Sequence, residues 1–356
     1  KTLLDEAHKR NINIILDLVV NHTATGCEWF QDACSQINKN GYPSGDYKDF
    51  YNFQQKYDTG YSPVGSTGWY YEARFWSGMP DLNLDSSNVR DEIKNIMKYW
   101  FDLGVDGFRL DACTSYYTGS VSKNVEFLNW LSSTAHELKE DCFLVGEAWE
   151  NADPLIRSYY DSGLDSFFIF TAATGEGSIV TGPMSFTAKN CGVKLNDLLL
   201  QLQDIYDVGI RSMFLGNHDT ARAANFLRRS VPGRVKMGAG ILAMMPGALF
   251  TYYGEEIGML GNGSDPEKRI AMLWDSMDSE GYCTKTPDGI KVTADSYYFE
   301  SAAAQLEDPD SILNYYRQAM LLRNENPEIA RGTVEALNGT GGVETSDQVS
   351  VTRRSW

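Results

Sequence analysis

The chain has 356 residues, more than twice an ordinary domain, which admits one large α/β barrel with an insertion or two domains. At 42% hydrophobic and 22% charged residues it reads as globular and excludes a disordered chain. A net charge of −17 excludes unspecific nucleic-acid binding, which needs a basic surface, and suits a neutral or cationic partner.

Residues 3–10 read as the end of a helix, so the chain opens inside a helical pattern, with no signal-peptide pattern. Residues 12–20 form an apolar run interrupted only by Asn13 and Asp17, as in a strand buried on both faces of a parallel sheet. Residues 23–83 are rich in Gly, Tyr, Ser and Asp without a long helical period, and read as an irregular insertion. Its Trp69, Tyr70, Tyr71, Phe75 and Trp76 offer flat faces for stacking, or fill a core. Helical spacing returns over 89–103, with Val89, Ile93, Ile96, Met97, Trp100 and Leu103 on one stripe. The pattern then predicts strands at 105–110, 142–145, 165–170, 211–215 and 248–253. Between and after them it predicts helices at 125–138, 195–206, 235–245 and 312–323. Alternating strands and helices indicate a parallel sheet. The longest apolar stretch, 239–253, holds Gly240, Pro246 and Gly247 and is shorter than the ~20 residues of a membrane helix.

Polar clusters recur at the strand ends: Asn21-His22, Arg109 with Asp111, Glu147, and Asn217-His218-Asp219. Asp111 to Glu147 is 36 residues, Glu147 to Asp219 is 72, and Asp219 to Glu255 is 36 again, in steps of one or two βα units. A closed barrel carries its chemistry at the C-terminal ends of its strands. The absence of a Gly-rich phosphate loop argues against a doubly wound nucleotide fold. Six strands are visible where a barrel needs eight, so the sequence is expected to lack the first two. Residues 349–352 start a further β pattern.

Arg109 and Asp111 lie two apart on a strand and so share a face. A guanidinium there keeps Asp111 ionised and fit to be a nucleophile, although a structural ion pair is the plain alternative. Glu147 follows Gly146 after an apolar strand, where desolvation and neighbouring carboxylates are expected to raise its pKa and suit it to be a general acid. Two such carboxylates ~5–5.5 Å apart suffice for glycoside hydrolysis with retention, and a third, Asp219, could hold and distort the substrate. His22 and His218, two of only four histidines, each stand beside Asn at a strand end and read as substrate hydrogen-bonders. His8 and His136 fall in helices and are assigned nothing. No HExxH, metal-spaced His cluster or GxSxG elbow is present. None of the six cysteines forms a CxxC pair. Cys27 and Cys34 could bridge a local loop, while Cys113 and Cys142 read as buried thiols.

Six segments together resemble the signatures of the α-amylase family, glycoside hydrolase family 13. They are DLVVNH (17–22), GFRLD (107–111), VGEAW (145–149) and FLGNHD (214–219), with MPDLN (79–83) in the insertion and YYGEEIGM (252–259) at the last barrel strand. The resemblance implies a (β/α)8 TIM barrel formed by residues 1–22 and 84–332 with an inserted domain B at 23–83. It also implies the start of a C-terminal β domain at 333–356, most of which the sequence lacks. It makes Asp111 the nucleophile, Glu147 the acid/base and Asp219 the transition-state stabiliser. His22, Arg109 and His218 then line the site of the nonreducing-side sugar, with Asp17 a supporting carboxylate and Asn21 at a position that ligates structural calcium in many members. No cofactor is implied for the chemistry. The partner implied is an α-glucan, with no nucleic acid and no membrane span, and an extracellular or cell-surface location is favoured. After Asp111 many α-amylases read Lys-His, whereas this chain reads Ala112-Cys113-Thr114-Ser115, so a calcium contact and a product-side contact are not carried over. The expected reaction is retaining cleavage of α-1,4 bonds in starch or maltooligosaccharides. The alternatives are an α-1,6-acting oligoglucosidase or neopullulanase, a 4-α-glucanotransferase, and, more distantly, a non-catalytic member.

Overall fold

The computed structural model describes residues 1–149, 153–173, 191–203, 205, 207–227, 231–277, 282–286, 289–293, 297–336 and 352–355. By internal contacts the chain divides into two compact units, Lys1–Trp149 with Ser158–Ser166, and Glu150–Arg157 with Phe167–Trp356.

The first unit begins with helix α1 (Thr2–His8) and strand β1 (Ile15–Leu18). The strand is shorter than the apolar run because the Asp106 carboxylate takes the Ile14 N–H at 2.8 Å, ending the ladder below Ile15. His8 at 2.7 Å and Lys139 at 3.0 Å hold that same carboxylate, so His8 is a satisfied structural histidine. The insertion is less irregular than its composition predicts. It holds a 13-residue helix, α2 (Glu28–Asn40), whose buried Phe30, Ala33 and Ile37 recur at helical spacing among polar residues. Gly41 ends it in the left-handed region at φ 78°. Cys27 is the residue before this helix and Cys34 lies two turns along it, roughly 10 Å away at 1.5 Å per residue. Both thiols are therefore free, and the expected local bridge is not formed. Three short antiparallel strands follow, β2 (Phe53–Gln54), β3 (Tyr61–Pro63) and β4 (Tyr70–Glu72), with β4 in the middle. The insertion opens and closes at one neck: Leu82 N–H donates to Asn21 O at 2.9 Å and Thr23 N–H to Pro80 O at 3.0 Å.

Helix α3 (Ser87–Leu103) buries Val89, Ile93 and Met97, as its stripe predicts. It leads to β5 (Gly107–Leu110), α4 (Val121–Leu138) and β6 (Phe143–Gly146). Strands β1, β5 and β6 are parallel, with Asp17 level with Arg109 and Arg109 level with Val145. Cys113 and Cys142 are buried, as read from the sequence.

Helix α5 (Asp153–Tyr160) and strand β7 (Ser166–Phe168) come next in the chain. The second unit contains α6 (Cys191–Gln203), β8 (Ile210–Phe214), α7 (Ala223–Phe226), α8 (Pro232–Ala243) and β9 (Ala248–Phe250). Then follow α9 (Asp265–Lys268), α10 (Ala302–Glu307), α11 (Ile312–Glu325) and α12 (Glu328–Arg331). Strands β8 and β9 are parallel, Phe214 level with Phe250. Arg323 of α11 is buried and donates to the carbonyls of Ala243 and Met245, closing the end of α8. An antiparallel pair, β10 (Thr333–Ala336) with β11 (Thr352–Ser355), ends the described chain. Residues 349–351 of the expected β pattern, and the Cys191 side chain, lie outside the described residues. Among the described residues no helix is long and apolar enough to cross a membrane. The succession of parallel strands and helices is that of a partial (β/α)8 barrel.

Glu255, just beyond β9, is fully enclosed and accepts a 2.8 Å hydrogen bond from the Tyr316 hydroxyl of α11. Burial pushes its carboxyl up to about 8, with the Tyr316 bond and Arg222 opposing and Glu256 assisting. A folded-state value above the ordinary one means stability is full below pH ~4.5 and is lost as pH rises through about 8. Between pH 6 and 9 the wild-type melting temperature is therefore expected to fall more steeply than that of Glu255→Gln. Parallel pH profiles by calorimetry would show that Glu255 is not the group responsible.

Candidate active site

In the first unit, register decides what meets what. Glu147 N–H donates to Leu110 O at 2.9 Å, so the residues just past the ends of β5 and β6, Asp111 and Glu147, emerge at the same level. Arg109, one step below Leu110, sends its guanidinium to three carboxylates. Its Nη1 lies 2.8 Å from Asp17 Oδ1 and 2.6 Å from Asp111 Oδ1, and its Nη2 2.7 Å from Glu147 Oε1. The two-residue spacing of Arg109 and Asp111 thus gives the shared face expected of it. Burial opposes the charge of Arg109, but Glu147, Asp17 and Asp111 outweigh it and raise its pKa above the usual arginine value. Glu147 is buried at 6% exposure, whereas Asp17 is open to solvent.

Ala112 connects these carboxylates through the backbone. It sits in the left-handed region at φ 48°, one of two non-glycine residues there among those described. That conformation sends its N–H to Glu147 Oε2 at 3.2 Å, while Cys113 N–H donates to Glu147 O at 3.0 Å. A left-handed alanine costs about 1–2 kcal/mol, so local strain coincides with the polar cluster.

His22 stands at the neck of the insertion, its ring meeting Phe75 edge-on at 5.5 Å. Burial holds its pKa below the ordinary 6.5, with the nearby Asp111 charge pulling the other way. It is thus a neutral hydrogen-bonding imidazole at pH 7. Asn21 is buried and turns its amide nitrogen toward His22 Nδ1 at 3.2 Å and Asp81 Oδ1 at 3.4 Å. Asp81 Oδ2 accepts the Arg74 N–H at 2.9 Å. Burial pushes the Asp81 carboxyl up to about 6, against the Arg74 bond. The Asn21 amide and the Asp81 carboxylate are thus joined by a hydrogen bond. Among the described residues no group of three or more His, Cys, Asp or Glu is arranged to hold a metal.

In the second unit the end of β8 is shaped by Asn217, whose Oδ1 accepts the N–H groups of Asp219 at 3.0 Å and Thr220 at 2.9 Å. This turn presents His218 and Asp219, with His218 Nε2 3.2 Å from Asp219 Oδ2. Arg269 Nη2 binds Asp219 Oδ1 at 2.7 Å and Lys268 Nζ binds its carbonyl at 2.9 Å. Sequence reading misses Lys268, Arg269 and Asp81. Lys268 ends a short capped helix and Arg269 follows it, so both look like ordinary solvated charges, and Asp81 lies within a motif but has no periodicity of its own. Arg222 is also absent from that reading. It is buried, lies 4.4 Å from the centre of the Tyr252 ring and 4.7 Å from that of Tyr253, and donates to Tyr253 O at 2.6 Å.

Two predictions follow from the first unit. Ala112→Gly is expected to stabilise the fold by up to ~1 kcal/mol and Ala112→Val to destabilise it by about 2 kcal/mol or more. Urea titration reads both, and a neutral Val substitution would mean that the left-handed turn is unstrained. Dialysis against EDTA is expected to leave the melting temperature unchanged, because hydrogen bonds close the Asn21–Asp81 pair. A drop of several degrees, reversed by calcium, would show that an ion holds it.

Comparison with known proteins bears on this arrangement. Residues 1–332 match the family model described as alpha amylase, catalytic domain. The chain is 34% identical over 354 residues to Alpha-amylase 3 of Dictyoglomus thermophilum, covering 95% of this chain and 65% of that protein. It is 29% identical to an oligo-1,6-glucosidase of Heyndrickxia coagulans, covering 94% of this chain and 73% of that one. Among solved structures, Eubacterium rectale Amy13B superposes with a TM-score of 0.89 at 35% identity, over all of this chain and 69% of that one. The chain therefore spans about two thirds of the length of such relatives.

Proposed function

The chain belongs to the alpha-amylase catalytic-domain family, and from that premise we propose a retaining hydrolase that cleaves α-1,4 bonds of starch or maltooligosaccharides. The family sets the coarser class, a glycoside hydrolase or transglycosylase acting on glucosidic bonds.

In the proposed mechanism the Asp111 carboxylate attacks the anomeric carbon while Glu147 gives its proton to the leaving glycosidic oxygen. A covalent glycosyl–enzyme ester forms and the leaving chain departs as an alcohol. Glu147, now a carboxylate, takes a proton from water, whose oxygen displaces Asp111 from the anomeric carbon. Asp219 is assigned to stabilise the developing positive charge, with His22 and His218 on the hydroxyls of the sugar at the nucleophile and Asp17 supporting Arg109. The observation that carries this reading is the single guanidinium of Arg109 shared by Asp111 and Glu147 at 2.6 and 2.7 Å. A fixed fork of donors holds two carboxylates of different burial at one level, as a nucleophile and acid pair requires.

The match to an oligo-1,6-glucosidase favours a second reading, in which α-1,6 bonds are the main target. The small Ala112 beside Asp111 speaks for the α-1,4 assignment. Incubation with maltotriose, isomaltose, panose and pullulan, with products resolved by chromatography, separates the two. Maltotriose is expected to be cleaved with the higher kcat/KM, and faster cleavage of isomaltose would install the second reading. Transfer products dominating over free glucose and maltose would instead identify a glucanotransferase. Asp111→Asn is expected to lose on the order of 10⁴-fold or more in kcat with an unchanged melting temperature. Near wild-type turnover in that variant would remove Asp111 from the role.

A further inference from the structure

The five aromatic residues of the 69–76 segment divide into three that are anchored and two that are not. Tyr71 is buried and its hydroxyl donates to Ser77 O at 2.7 Å. Trp69 donates its indole N–H to Gly41 O at 2.8 Å, and Tyr70 packs edge-on against Tyr57 at 5.7 Å. Phe75 and Trp76, by contrast, are 50% and 60% exposed.

Trp76 is nevertheless held in place. Its indole lies directly over Gly78, where an added Cβ would fall 2.2 Å from Cη2 and 2.4 Å from Cζ2 of the ring. Only a residue without a side chain allows that approach. The turn beneath the ring is closed by Met79 N–H on Trp76 O at 2.9 Å, and is tied to the neck of the insertion by Thr25 N–H on Gly78 O at 3.1 Å. One face of the indole is therefore backed by pinned backbone and the ring remains largely open to solvent. The neighbouring Phe75 ring touches His22, the imidazole that feels the Asp111 charge. Phe75, next to Trp76 in sequence, thus lies against His22, a residue assigned to the site of the attacked sugar.

We propose that Trp76 is a stacking platform for a glucose ring of the α-glucan chain other than the ring attacked by Asp111, with Gly78 as its seat. The inference rests on the glucan-hydrolase reading and adds to it a determinant of chain length. Glucose presents an apolar C–H face that loses water against an indole, whereas its hydroxyls stay hydrated at the rim. A neutral ligand of this kind is also compatible with a chain of net charge −17, which disfavours acidic ligands. No covalent step is involved.

The test compares kcat/KM across maltose to maltoheptaose for the wild type, Trp76→Ala, Trp76→Phe and Gly78→Ala. In the wild type the constant is expected to rise with chain length. Trp76→Ala should lose about 10-fold on the long chains, the scale of one aromatic contact, and less than about 2-fold on the shortest substrate cleaved. Trp76→Phe should recover most of the loss. Gly78→Ala, which displaces the ring without removing it, should fall between wild type and Trp76→Ala. An unchanged chain-length profile in Trp76→Ala overturns the platform. So does an equal loss on every substrate, or a loss tracking a lower melting temperature, since either marks a structural role. A wild-type enzyme inert on every α-glucan would instead overturn the hydrolase reading, and this inference with it.

Discussion

Everything in the first unit's polar cluster depends on one half-buried guanidinium. Arg109 is surrounded by Asp17, Asp111 and Glu147, two of which are largely removed from water. Three carboxylates so placed would repel one another and the least solvated would take up a proton. A guanidinium offsets that repulsion without titrating itself, and its planar fork fixes direction as well as charge. A lysine would supply the charge but not the simultaneous Nη1 and Nη2 contacts. Because Arg109 is carried by the middle strand of β1, β5 and β6, its reach to either side is set by ladder register and not by loop conformation. The placement of Asp111 relative to Glu147 thus inherits the precision of a parallel sheet.

The insertion is coupled to this cluster through its neck. The backbone bonds that join residues 21–25 to 78–82 place His22 against Phe75 and leave Asn21 to close on Asp81. These groups are paired by donors and acceptors, so the neck is held by polar contacts in a partly dry setting, where such bonds are strongest and unpaired groups cost most. Two of its groups have titrations displaced toward the neutral form by burial, His22 downward and Asp81 upward.

How much of this was legible depends on how local the signal is. The six parallel strands among the described residues were visible as apolar runs, and the shared face of Arg109 and Asp111 followed from a period of two. The start of β1 was not, because it is set by Asp106, a side chain that replaces a ladder bond from 92 residues away in sequence. The helix Glu28–Asn40 escaped notice because only Phe30, Ala33 and Ile37 mark its inner face amid polar residues. The left-handed Ala112 could not be read at all, since alanine gives no turn signal and the conformation is imposed by the contacts to Glu147. Aromatic residues were legible as a group but not individually. Only packing distinguishes Tyr71, buried on β4, from Trp76, propped on a glycine.

The two units hold their carboxylates by different physical means, and the difference has consequences for how each would respond to change. Asp111 faces an arginine whose side chain is 13% exposed, while Asp219 faces Arg269, which is 42% exposed. Water and salt screen the second pair far more than the first, and an exposed ion pair contributes at most ~1 kcal/mol. Asp219 therefore owes its position chiefly to the Asn217 turn and to the Lys268 bond on its carbonyl, with Arg269 adding direction more than stability. A carboxylate at a strand end, tied to Arg109 of the ladder, is thus held by register, whereas a turn-borne carboxylate keeps freedom to adjust. For the roles assigned to them this division is apt. The attacking oxygen must already be in place, while a stabiliser needs to follow charge and ring shape as they develop along the reaction.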